Sequence, residues 1–194
     1  MNKLLIIAGP SAVGKTTVMK RMLEITDSFE YLRSATTRAP RGDGNDSEYL
    51  YLSRDEFLAR VDSHGMLEYT EYGGNLYGTP ISEIERAYSL GKTPLLILDI
   101  NGVTSVKSAK LSILPLAVYI TAPLDVLDAR LRARAEKDGN SEGAVSTLEK
   151  RKAQNRLDLE NFDEISKVFD LVVENREIDN TAHEIIRFFE EQQA

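Results

Sequence analysis

Gly9-Pro10-Ser11-Ala12-Val13-Gly14-Lys15-Thr16 has the spacing G-x-x-x-x-G-K-[ST], and Thr17 follows it. The apolar run Leu4-Leu5-Ile6-Ile7 lies just before, and a helical stretch from about Gly14 to Ile25 just after. A phosphate chain requires that order. Glycines let the backbone wrap closely enough for several N–H groups to face an anion. The helix N-terminus adds its dipole, Lys15 can reach the β- and γ-phosphates, and the Thr16 hydroxyl is placed for Mg²⁺. A chance match arises in about one chain in a hundred of this length, and the strand-before, helix-after setting lowers those odds. The loop specifies a nucleoside triphosphate site without naming the acceptor.

Other residues carry chemistry by type and spacing. Asp99 ends the apolar run Leu95-Leu96-Ile97-Leu98, where a strand-end carboxylate in such a protein approaches Mg²⁺ or substrate. Ser34-Ala35-Thr36-Thr37-Arg38-Ala39-Pro40-Arg41 sets three hydroxyls beside two arginines three residues apart, and in extended chain these can converge on one phosphate. Arg130-Leu131-Arg132-Ala133-Arg134 and, after a polar stretch to Ser146, Lys150-Arg151-Lys152 with Arg156 suit a basic lid that closes over phosphates. His64, in a turn, and His183, on a polar helix, read as solvated surface. Cysteine is absent, which excludes disulfides, thiolate catalysis and Cys-based metal sites.

The elements that must hold these residues alternate. Leu4–Ile7, Leu95–Leu98, Leu116–Ile120 and Phe169–Val173 read as buried strands. Helices are expected at 14–25, 102–109, from Pro123 onward, and at 181–191. Capping boxes mark helix starts at Ser53 with Glu56, Ser146 with Glu149, and Thr181 with Glu184. The rhythm is that of an α/β domain with a mainly parallel sheet. It breaks between Ser34 and Thr79, where short strands, a helix from about Arg54 to Val61 and the turn Gly73-Gly74-Asn75 suggest a small inserted sheet.

The 194 residues carry a net charge of −7, which argues against a nucleic-acid polymer or an anionic membrane as partner. That total conceals three basic segments, 33–41, 130–137 and 149–156, each with a net +3. The short apolar N-terminus does not read as a signal peptide, and no apolar run is long enough to span a membrane. A cytoplasmic protein is expected.

Together these motifs resemble the guanylate kinase family: Gly9 through Thr16, Ser34 through Arg41, Tyr49, Leu67-Glu68-Tyr69 and Gly74-Asn75-Leu76-Tyr77-Gly78-Thr79, in that family's order over nearly the whole chain. The resemblance implies a P-loop-type parallel sheet flanked by helices, a small mixed-β subdomain for the monophosphate, and a helical lid. It implies one domain over 1–194, with a core at 1–33, 80–125 and 157–194, a GMP-binding insertion at 34–79 and a lid at 126–156. The implied reaction is Mg²⁺-dependent transfer of the ATP γ-phosphate to GMP, and also to dGMP.

By position, the resemblance gives ATP to residues 9–17. Ser34, Arg38, Arg41, Tyr49 and Tyr77 would hold the GMP phosphate, while Glu68, Thr79 and Asp99 would read guanine. Lys15, Arg38, Arg134 and Arg151 would be catalytic, and Thr16 would bind Mg²⁺. A carboxylate such as Glu68 can accept from both N1–H and the N2 amino group of guanine, and adenine has neither donor.

Two alternatives share the architecture. One is a ribose 1,5-bisphosphate phosphokinase, which has no use for a base reader; the other is a non-catalytic binding module, which would lack Lys15 and the lid arginines. The chain departs from the family pattern at Asp99-Ile100-Asn101-Gly102, in the long stretch from Arg134 to Arg151, and at Val173-Glu174-Asn175, where the family has Val-Asn-Asp.

Overall fold

A computed structural model describes residues 2–40, 49–109, 111–137 and 142–192. The expectation for Arg41 lies outside the described residues. The elements begin β1 (Lys3–Ala8), α1 (Lys15–Ile25), β2 (Phe29–Tyr31), β3 (Ser34–Thr36), β4 (Tyr49–Tyr51) and α2 (Arg54–Asp62). They continue with β5 (Met66–Tyr72), β6 (Asn75–Pro80), α3 (Ile81–Ser89), β7 (Thr93–Ile97) and α4 (Ile100–Ser108). The last are β8 (Leu114–Thr121), α5 (Leu124–Lys137), α6 (Glu142–Glu160), α7 (Phe162–Ser166), β9 (Leu171–Glu174) and α8 (Ile178–Glu191).

These strands form two sheets, as the broken rhythm of the sequence suggested. One is parallel and five-stranded, in the order β2-β7-β1-β8-β9; the other is mixed and four-stranded, in the order β4-β3-β6-β5. Leu4 to Ala8 and Ala117, Val118 and Ile120 are fully buried, which explains their continuous apolar character. No helix among the described residues is long and apolar enough to cross a membrane.

The chain divides into two compact units. The first comprises Met1–Leu5, Thr26–Leu96 and Asn101–Pro115. Its four-stranded sheet buries Ala35 and Leu76 against Phe57 of α2, with Leu50, Leu52, Val61 and Met66 around them. The capping box at Ser53 is present as expected: Glu56 N–H donates to Ser53 Oγ (3.2 Å) and Ser53 N–H to Glu56 Oε2 (2.8 Å). In the same unit Glu83 of α3 takes three bonds from Arg33, including its backbone N–H, and further bonds from Arg86. Arg33 stands just before β3 and Glu83 just after β6, so this ion cluster pins together the two points where the chain joins the four-stranded sheet.

The second unit comprises Ile6–Ile25, Ile97–Ile100 and Leu116–Ala194. Two capping boxes expected here are not helix starts. α6 begins at Glu142, four residues before Ser146, and Glu149 lies inside it, accepting from Lys152 (3.0 Å). α8 begins at Ile178, three residues before Thr181, whose hydroxyl turns inward instead. That hydroxyl lies 3.0 Å from the Glu177 carbonyl and 3.2 Å from Asn175 Oδ1. A Ser or Thr hydroxyl can bond back to i−4 as readily as it caps, and the local pattern does not distinguish the two. Asp179 in the first turn of α8 suits the dipole at its true start. His64 and His183 are exposed, as their setting suggested.

Candidate functional site

In the second unit, residues 9–14 form a loop between β1 and α1. Gly9 has φ +149°, and a Cβ there would meet the Ile120 carbonyl oxygen at 2.2 Å. Gly14 has φ +103°, and its Cβ would meet Asn175 Nδ2 at 2.8 Å. Both positions therefore require glycine for space as well as conformation. Ala12 also sits at positive φ, 66°.

Three side chains from three elements hold this loop. Asn155 of α6 accepts from Ser11 N–H (2.9 Å) and donates to Ser11 O (3.1 Å). Asn175, just after β9, donates to Val13 O (2.7 Å), and Arg130 of α5 donates to the same oxygen at 3.1 Å. Arg134, one turn further along α5, is exposed, so Arg130 is the arginine of that pair that meets the loop.

The Lys15 ammonium donates to the carbonyls of Gly9 (2.8 Å) and Pro10 (3.0 Å). Burial lowers its pKa to about 8; Asp158 and Asp99 pull it upward, and Arg151 pushes it down. Lys15, Asp99, Arg151 and Asp158 thus share one electrostatic neighbourhood. Thr16 and Thr17 are exposed in the first turn of α1, and Asp99 is exposed beyond β7. Among the described residues no group of three or more His, Cys, Asp or Glu forms a metal cage. Mg²⁺ needs none beside a nucleotide, because it keeps waters and takes one or two protein oxygens together with phosphates. A hydroxyl at Thr16 and a carboxylate at Asp99 are hard oxygen donors of that kind.

In the first unit, pairing brings several of the residues expected to bind the acceptor onto one surface. Ser34 lies opposite Tyr49, and Thr36 opposite both Tyr51 and Tyr77. Across the next ladder Tyr77 is opposite Thr70, and Thr79 opposite Glu68. Directly paired residues and residues two apart share a face. Ser34, Tyr49, Tyr51, Tyr77, Thr79 and Glu68 therefore line one face, and Ala35, Leu50 and Leu76 pack on the other against α2.

The Arg38 guanidinium stands 5.3 Å from the Tyr49 ring centre and 5.9 Å from that of Tyr51, and its Nη2 is 3.4 Å from the Tyr51 hydroxyl. A cation held over aromatic faces keeps its planar fork available to an anion. The Thr79 hydroxyl, 1% exposed, donates to Glu68 Oε1 at 2.8 Å.

Sequence reasoning assigned no role to Tyr51, Asn155 or Asn175. Tyr51 follows Tyr49 by two, the strand period that puts both on one face. Asn155 follows Arg151 by four, on the same side of its helix. Asn175 stands in the Val173-Glu174-Asn175 departure from the family pattern, but nothing local points to its partner, which lies 162 residues away.

A family model described as guanylate kinase matches residues 1–192. The guanylate kinase of Cereibacter sphaeroides is 35% identical over 178 residues, covering 91% of this chain and 80% of its own. That of Synechocystis sp. is 34% identical over 195 residues, covering 98% and 95%. The guanylate kinase of Lactococcus lactis is 33% identical over 189 residues, covering 96% and 86%. A crystal structure of guanylate kinase from Anaplasma phagocytophilum shares the fold, with a TM-score of 0.69 at 24% identity, over 99% of this chain and 86% of that one.

Proposed function

The chain belongs to the guanylate kinase family and has guanylate kinase activity, and on that premise we propose which of its residues carry the reaction. ATP binds the loop of residues 9–17, where backbone N–H groups and the N-terminus of α1 meet the phosphates. Lys15 exchanges the Gly9 and Pro10 carbonyls for phosphate oxygens, which offer full charge in place of dipoles. Thr16 would be the protein ligand of Mg²⁺, which when bound would supply positive charge to offset that of the phosphates.

GMP lies on the polar face of the four-stranded sheet. Ser34, Arg38, Arg41, Tyr49 and Tyr77 hold its phosphate, and Glu68, Thr79 and Asp99 read its base. Arg134 and Arg151 stabilise charge on the transferring phosphoryl group. The transfer needs no covalent intermediate: the acceptor phosphate oxygen attacks the γ-phosphorus as the bond to ADP breaks. Residues 34–79 would serve as the GMP-binding insertion and 126–156 as the lid. A cytoplasmic setting is part of this reading.

The Glu68–Thr79 pair carries the guanine assignment. A carboxylate held by a buried threonine hydroxyl is an oriented acceptor, matched to N1–H and the N2 amino group, and is left without a donor by adenine. The test is an ATP-coupled assay with GMP, dGMP, AMP, CMP, UMP and ribose 1,5-bisphosphate. GMP and dGMP should turn over. Comparable turnover of AMP would remove the base-reading role.

A further inference from the structure

We propose that Asn155 is a positioning residue for phosphoryl transfer: it sets the register of α6 on the phosphate loop and thereby places Arg151 against Lys15. The inference rests on the roles given above to Lys15 and Arg151. Asn155 is 2% exposed, and its carboxamide meets both polar groups of Ser11, 144 residues away, as one strand meets another. Only one orientation of the amide works. The reverse would set NH₂ against N–H and oxygen against carbonyl oxygen. The pair therefore recognises the direction of the Ser11 peptide as well as its position.

Arg151, Asn155 and Asp158 are spaced by four and three, which puts them on one face of α6. The two charged members both act on the Lys15 ammonium, in opposite senses. Asn155 lies between them, so the helix is fixed to the loop at the point from which both charges are measured. Neither Asn175 nor Arg130 can do this, although both also bond the loop, because neither is on the helix that carries Arg151. A slip of α6 by one ångström would displace Arg151 equally, and catalysis by positioned charge is sensitive on that scale.

The experiment compares N155A and N155D, in the full-length enzyme, with R151A, K15M and the R151A/N155A double variant. N155D keeps the shape and the acceptor but sets a carboxylate oxygen against the Ser11 carbonyl, so it carries the comparison should N155A fail to fold. Both single variants should lose about tenfold or more in kcat per folded molecule, while KM for GMP stays within about twofold. In the R151A background, adding N155A should cost no more than about twofold further, because the two act through one group. A purely structural role would lower the melting temperature and multiply with R151A; multiplicative losses overturn the proposal. Loss in K15M and R151A with full kcat in both Asn155 variants would sink this inference alone. Full activity in K15M and R151A would sink the site reading and this inference with it.

Discussion

Thr79 and Glu68 stand directly opposite each other across the β5–β6 ladder, and the threonine hydroxyl donates to Glu68 Oε1 at 2.8 Å. Thr79 is buried, so the donor has a fixed position and the carboxylate inherits it. The β-pairing of two short strands thus orients the Glu68 carboxylate, the group proposed to read the base. A hydrogen bond to a charged group is worth about 1.5–3 kcal/mol, or about tenfold to a hundredfold in binding. E68Q should lower kcat/KM for GMP by at least that much and leave KM for ATP unchanged. T79V, which removes only the orienting donor, should lower it less, by about tenfold. Unaltered GMP kinetics in E68Q would take Glu68 out of the guanine site.

Lys15 titrates at about 8 in the free protein, chiefly because it is buried. A bound triphosphate stabilises the ammonium, so ATP binding at pH 8 should take up about half a proton, falling to near zero at pH 6.5. Protons drawn from Tris cost more enthalpy than protons drawn from phosphate buffer. Calorimetry at pH 8 should therefore give a less favourable binding enthalpy in Tris. Identical enthalpies in the two buffers would show that Lys15 does not change protonation.

Glu83 is held below its ordinary value of 4.5: burial acts to raise it, and the bonds from Arg33 and Arg86 more than offset burial. A lowered carboxylate stabilises the fold above its unfolded value, and that contribution disappears as pH falls through the folded one. E83A should destabilise by about 1–3 kcal/mol at pH 7, a moderate figure because both arginines remain partly solvated. The gap from wild type should narrow as the pH falls below 4.5, the ordinary value, toward the lower folded one. Denaturant titrations at pH 7 and pH 3.5 check this. A gap that is independent of pH would mean that packing, rather than charge, is what Glu83 supplies.

Gly9 has no room for a methyl group, since a Cβ would meet the Ile120 oxygen at 2.2 Å. G9A must push the loop off β8 or strain it, at a cost of about 3 kcal/mol or more, and ATP binding should fall with stability. A variant with an unchanged denaturation midpoint and normal ATP affinity would contradict this geometry.

Much of the proposed site is legible in the linear chain because it is built from local patterns. The loop glycines, the helix that follows them, and the alternation in Ser34-Ala35-Thr36, Tyr49-Leu50-Tyr51 and Leu76-Tyr77-Gly78-Thr79 each report the conformation of their own segment. The capping motif at Ser53 succeeded for the same reason. The motifs at Ser146 and Thr181 failed because the same residue types also occur inside helices, and only distant partners decide which use prevails.

The sequence by itself determined the glycine-containing loop before α1, the alternation of buried strands with helices, and the polar face that carries the residues proposed to hold the acceptor. Periodicity encodes which way a side chain points within its own element. The tertiary structure alone decided what those side chains meet. Asn155 on Ser11, Asn175 on Val13, and Glu83 on Arg33 join residues 50 to 162 positions apart. Such pairs depend on the packing of whole elements, which no window of neighbouring residues contains. The net charge of −7 made the same division: it spoke against a polyanionic partner, but only the fold gathered Lys15, Asp99, Arg151 and Asp158 into one field.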